Sequence, residues 1–180
     1  GSKDLEYYYA REKAGEMSFT PDAEFPIINV EKGQFRGTIF KKRGKEESSL
    51  LSLKAGIAVN AVPQKAVLVF SALGEEEFQA AKQAVEEQCQ VKISKNGNEV
   101  TVIGTSAHAA TPYLGKNAGL AAVIFATKLP SIGAELKQDL EHLLELFPYG
   151  KTDGSGLGIK MEDKESKDLT CTLDIYAIDG

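Results

Sequence analysis

The sequence of 180 residues has only two cysteines and two histidines. Cys89 and Cys171 stand far apart and lack the paired spacing of a cysteine-based zinc site; they read as reduced core thiols of a cytoplasmic protein, with a disulfide between them as the alternative. No apolar run approaches the ~20 residues that a membrane helix needs, which argues against a membrane as partner. No signal-peptide pattern is visible. Positive charge is scarce: 21 Lys and Arg face 26 Asp and Glu, for a net charge of -5. With no basic stripe and no arginine-rich arm, nucleic acid is not an expected partner. The glycine-rich residues 151–158 lack the Gly-Lys-Ser/Thr ending of a phosphate loop and read as a turn. No short internal repeat is evident.

What is present is an alternation of strand and helix patterns. Residues 3–14 read as a short amphipathic helix stopped by Gly15. Two prolines, Pro21 and Pro26, make the next stretch extended. Residues 35–43 read as a strand, and 51–59 as a longer one. In the longer strand Leu51, Leu53, Ala55, Ile57 and Val59 share one face, with Ser52, Lys54, Ala58 and Asn60 on the other. Residues 66–72 are apolar on both faces, as in a central strand. Three glutamates at 75–77 suit a helix start, and Phe78, Ala81, Val85 and Cys89 follow at helical spacing. Asn96-Gly97 marks a hairpin between strands at 91–93 and 100–103. Residues 120–129 are apolar nearly all round, as in a helix packed on both sides. A second helix, 131–147, has a stripe of Leu136, Leu140, Leu143, Leu144 and Phe147, which leaves His142 on a solvated face. Residues 159–161 and 169–178 read as strands, the latter with Leu169, Cys171, Leu173, Ile175 and Ala177 on one face. The pattern predicts an α+β fold, a mainly antiparallel sheet with helices on one side.

Between the strand at 100–103 and the helix at 120–129 lies a loop of defined shape, punctuated by Gly104, Pro112, Gly115 and Gly119, with Asn117 as the expected N-cap. It holds His108. A lone histidine in a turn usually has a structural role. The wording Gly-x-Ser-Ala-His-Ala-x-x-Pro-x-x-Gly-x-Asn-Ala, residues 104–118, resembles the lid-domain motif of the zinc aminoacylase and carboxypeptidase superfamily. It is most similar to the bacterial dinuclear-zinc dipeptidases. Two further stretches carry the same resemblance in the same order: Pro21-Asp22-Ala23-Glu24-Phe25-Pro26, and Ala55 to Pro63 with Asn60 before Val62-Pro63.

The resemblance implies a ferredoxin-like lid of one lobe or two related sub-lobes over residues 33–180. Residues 1–32 would belong to the catalytic domain of a parent protein. It implies Asp22 as a zinc ligand, Asn60 as a substrate-orienting residue and His108 as the catalytic donor that stabilises the oxyanion. The substrate would be a dipeptide, the cofactor two zinc ions in the parent, and the partner the catalytic domain of the same chain. Asp22 alone is a poor metal site, since zinc takes three or four protein ligands. No tightly bound zinc and no activity are therefore expected of these residues by themselves. The start at Gly1-Ser2, like a scar of tag removal, and the end just after a strand pattern suggest an excised piece. Two alternatives stand beside this reading: a non-catalytic α+β binding or regulatory module, and an inactive homologue of the peptidase acting as a partner protein.

Overall fold

A computed structural model of the chain describes residues 3–13, 15–17, 32–42, 44 and 46–179. It divides into two units, Gly1–Phe35 and Arg36–Gly180. The first contains one helix, α1 (Lys3–Tyr9), shorter than the sequence pattern suggests. None of its residues is buried, so no apolar face holds a further turn in place.

The second unit is built on a five-stranded antiparallel sheet. Its strands are β1 (Leu50–Ala55), β2 (Lys65–Phe70), β3 (Lys92–Asn96), β4 (Glu99–Ile103) and, past a short ribbon of β5 (Glu162–Asp163) and β6 (Lys167–Asp168), β7 (Tyr176–Asp179). The spatial order is β3-β4-β2-β1-β7. Between β2 and β3 the chain crosses through helix α2 (Glu75–Cys89), and β4 then pairs into the gap between them. That split crossover matches the first half of the ferredoxin-like lid that the resemblance implies; beside β2, however, lies β1, which precedes it in the chain, and not a strand from later in the chain. One such lobe is present among the described residues.

The strands alternate cleanly. Ile93, Val102, Ala66, Ala55 and Tyr176 lie on one lateral row and are all buried. The neighbouring row of the opposite face holds Ser94, Thr101, Val67, Lys54 and Ala177, none of them buried. Helices therefore cover one face only. Helix α3 (Ala118–Thr127) lies across β1, β2 and β4, with α2 and α4 (Ala134–Leu146) packed on it. Nine of its ten residues, Ala118 to Ala126, are buried, which is why its sequence is apolar all round. Each large side chain there, such as Phe125 or Val123, contributes on the order of 1.5–3 kcal/mol by leaving water. Phe125 meets Phe70 of the sheet and Phe78 of α2 edge-on, with centroids 6.5 and 6.0 Å apart.

Several local expectations hold. Phe78, Ala81, Val85 and Cys89 are the buried stripe of α2. Its N-terminus is closed by the Glu77 carboxylate, which accepts the Gly74 N–H at 2.9 Å. Gly97, at φ +58, takes the first position of the β3–β4 turn. Cys89 is buried, Cys171 half-buried, and both are free thiols. His142 is exposed on α4.

Several expectations are corrected. The strand expected at 159–161 is not formed. Residues 36–42 form no strand. With Ile39 at 59% and Phe40 at 90% exposure, no burial offsets the cost of ordering them as a strand. Strand β1 stops at Ala55 instead of running to Val59. Gly56 turns out at φ +78, held so closely against the Asp174 carbonyl that a Cβ would lie 1.8 Å from it. A bulge between Leu50 and Ser52 also moves Leu50 inward and leaves Leu51 facing out. The last strand begins at Tyr176, not 169, and there the phase is shifted by one: Tyr176 is buried and Ile178 packs against the core while Ile175 and Ala177 are exposed, although Cys171 and Leu173 before it pack inward as expected.

Candidate functional site

The sheet ends on one side in two loops. The first follows β1 and runs through Gly56 to Pro63. The second follows β4 and runs from Gly104 to Asn117, including a single 3-10 turn at Pro112–Leu114. Backbone bonds zip the two together. Val62 N–H donates to the Ala107 carbonyl at 2.8 Å, and Ala109 N–H donates to the Asn60 carbonyl at 2.9 Å. This leaves Ala61 directly opposite His108 as an isolated antiparallel bridge, with Asn60 one step along the ribbon. The structure thus brings Asn60 and His108, 48 positions apart in sequence, onto one short ribbon at the end of the sheet. Both side chains are exposed.

The His108 ring is held by its own loop. The Ala110 N–H donates to His108 Nδ1 at 3.1 Å, and the Thr111 N–H donates to the His108 carbonyl at 2.9 Å. A backbone amide is only ever a donor, so Nδ1 must offer its lone pair. The neutral ring therefore carries its proton on Nε2. Such a ring presents one N–H to whatever occupies the space before it. The Asn60 amide has no hydrogen-bond partner among the described residues, which leaves its two donors and one acceptor open to a ligand.

The stems of both loops are equally defined. Thr105 and Lys116 exchange both backbone hydrogen bonds, at 3.0 and 2.8 Å. Gly104 N–H donates to the Gln64 carbonyl at 2.8 Å, and Ala118 N–H to the Pro63 carbonyl at 2.9 Å. Gly104 is required by this close approach, because a Cβ there would lie 2.0 Å from the Lys116 carbonyl oxygen. Asn117 caps α3 as expected, its Oδ1 accepting the Leu120 N–H at 3.0 Å.

The same Asn117 makes two contacts that sequence reading does not reveal. Its Nδ2 donates to the Leu173 carbonyl at 3.0 Å, and its Oδ1 accepts from the Tyr176 hydroxyl at 3.1 Å. Burial drives the Tyr176 phenol well above its ordinary pKa, so the hydroxyl stays protonated and donating. Neighbouring Asp174 is also pushed up by partial burial, against an opposing hydrogen bond from the Thr172 hydroxyl. A near-invisible signal existed in the sequence: a tyrosine at a core position needs a partner for its hydroxyl.

Asp22 lies outside the described residues. Among the described residues no group of three or more His, Cys, Asp or Glu side chains converges as a metal ion requires. They do not fit a zinc centre, and no step through a metal follows from them. Among them, too, no helix is long and apolar enough to cross a membrane.

No protein-family model matches the chain. Individual relatives do. Over 179 residues it is 30% identical to a Bacillus subtilis protein named "Putative dipeptidase YtjP", covering 94% of this chain and 38% of that protein. Over 181 residues it is 30% identical to the Beta-Ala-Xaa dipeptidase of Lactobacillus delbrueckii subsp. lactis, covering 96% of this chain and 37% of the relative. A Staphylococcus epidermidis protein named "Putative dipeptidase" is 26% identical over 187 residues, 98% of this chain and 39% of its own length. The chain thus spans less than two fifths of the length of these relatives. Along nearly its whole length it is similar to a part of bacterial proteins named as dipeptidases or putative dipeptidases.

Proposed function

We propose that residues 33–180 form the lid of a dipeptidase, with residues 1–32 leading into it from a catalytic domain. The observation that carries this reading is the backbone ribbon that joins the Asn60 loop to the His108 loop, together with the loop amide that engages His108 Nδ1 and leaves Nε2 as the ring's donor. An Nε2–H donor meets the carbonyl oxygen of a scissile peptide bond. As a nucleophile adds, that oxygen gains negative charge, and the hydrogen bond strengthens most in the transition state. The Asn60 amide, one residue along, holds the end of the substrate and so orients the bond to be cut. Both residues stand on backbone-bonded loops at the edge of a rigid sheet, which limits how far either can stray.

Zinc enters only through the resemblance: two ions held by the whole protein would supply Lewis-acid chemistry and an activated water. We assign Asp22 as one ligand of that set, the others lying outside these residues. The general base is likewise assigned to the catalytic domain. The free thiols Cys89 and Cys171 fit a cytoplasmic setting. The test is hydrolysis of dipeptide and tripeptide panels by the complete protein with its flanking sequence. Dipeptides should be cut and tripeptides spared, with activity lost to a chelator and restored by zinc. A metal-replete complete protein that cleaves no dipeptide would favour the non-catalytic binding module instead.

A further inference from the structure

Asn117 stands between the two residues that hold the two site loops. Its predecessor Lys116 exchanges both backbone hydrogen bonds with Thr105, the stem of the His108 loop. Its successor Ala118 donates to the Pro63 carbonyl, the stem of the Asn60 loop. Its side chain meanwhile reaches away to a third segment, donating to the Leu173 carbonyl and accepting from the Tyr176 hydroxyl. That third segment is itself fixed. Tyr176 begins β7, which pairs with β1. Its ring lies on α3 so closely that a Cβ on Gly119 would come within 2.3 Å of it. Asp174 abuts Gly56, where the Asn60 loop begins.

We propose that Asn117 is a positioning residue that sets His108 and Asn60 relative to each other by tying both loop stems to the 173–176 segment. The functional weight of this rests on the dipeptidase reading above; its structural content does not. Helix capping alone needs only the Oδ1 oxygen. Anchoring to Leu173 needs the Nδ2–H donor as well, and that difference separates the two roles.

The test uses Asn117→Asp in the 180-residue chain. Aspartate caps a helix as well as asparagine does. It still accepts from Leu120 and Tyr176, but it sets a carboxylate oxygen against the Leu173 carbonyl with no donor between. A residue that only caps would leave the His108 imidazole spectrum unchanged. A positioning residue would not. In N117D the His108 ring nitrogens should lose the signature of a single Nε2–H tautomer in long-range proton–nitrogen spectra. The Val62 and Ala109 amides, which form the ribbon, should exchange roughly tenfold faster, the loss of about one net hydrogen bond. Tyr176→Phe is the milder companion: it removes the hydroxyl, keeps the ring on Gly119, and should shift the same signals less in the same direction. Superimposable His108, Val62 and Ala109 signals in the folded variants would overturn the proposal. If the signals move but N117D in the complete protein keeps its kcat on dipeptides, positioning stands and the catalytic reading of His108 falls. If kcat drops with KM little changed, both stand.

Discussion

Gly104→Ala isolates the geometry on which the site depends. Gly104 does not adopt a left-handed backbone, so alanine carries no conformational strain there; the objection is purely steric. The new methyl would lie 2.0 Å from the Lys116 oxygen, 3.0 Å from its carbonyl carbon and 3.2 Å from the Ala118 nitrogen. All three are backbone atoms at the start of α3, and none can swing aside as a side-chain tip would. Carbon and oxygen need more than 3 Å between them, so the stem must open by about an ångström. That breaks or bends the two Thr105–Lys116 bonds and disturbs Ala118 N–H to Pro63. Two net hydrogen bonds at about 1 kcal/mol each, plus overpacking of about 1–3 kcal/mol, give a loss of roughly 3–5 kcal/mol. For a unit of this size each kcal/mol lowers Tm by about 2–4 °C, so a fall of roughly 6–20 °C is expected by calorimetry or circular dichroism. Gly97→Ala is the contrast, since nothing lies within 4 Å of the new methyl and only its φ of +58 opposes it. It should cost about 1–2 kcal/mol. A Gly104→Ala variant as stable as the parent would refute the close-stem argument, and with it the fixed placement of His108.

Two further outcomes can be checked on the same chain. Asp153 accepts hydrogen bonds from Ser155, through hydroxyl and backbone N–H, and pairs with Lys160 at 3.1 Å, which holds its carboxyl well below the usual range. Its folded pKa is depressed, so its stabilisation is present above the unfolded carboxylate value near ~3.9 and is lost as pH falls below that. Asp153→Asn should lower Tm at pH 7, and the gap to the parent should narrow progressively as pH falls below about 4; a gap unchanged down to acid would contradict this. Zinc titrated into the chain by calorimetry should show no tight stoichiometric site, because one carboxylate offers too few ligands. A micromolar site abolished by Asp22→Ala would show that these residues assemble a centre of their own.

How far the sequence could be read depended on whether the deciding contact was local. The buried stripe of α2, the all-apolar α3, the Asn117 cap and the Gly97 turn each depend on residues a few positions apart, and each was legible. Where β1 ends was not. Ile57 and Val59 continue the alternation, but Gly56 turns away because the Asp174 carbonyl, 118 positions on, occupies the space beside it. The apparent strand at 35–43 failed for a related reason: its alternation finds nothing to pack against, and Ile39 and Phe40 stay exposed. At the site, His108 and Asn60 stood out through their motifs, while the ribbon that unites them is a long-range pairing that no local pattern reports. The tautomer set by Ala110 and the second and third contacts of Asn117 are matters of atomic geometry and emerged only from the fold.

The central claim rests on His108 as a donor and not a metal ligand, and one substitution tests it. His108→Ala in the complete protein, assayed on a dipeptide with zinc content measured in the same samples, should lower kcat by roughly 10²-fold or more, the scale of removing one oxyanion donor. Bound zinc and Tm should stay near those of the parent, and the loss should fall on kcat more than KM. His108→Gln, which keeps an N–H but not the ring geometry, should recover part of the rate. Loss of zinc in His108→Ala, or an unchanged kcat with full zinc, would contradict the account.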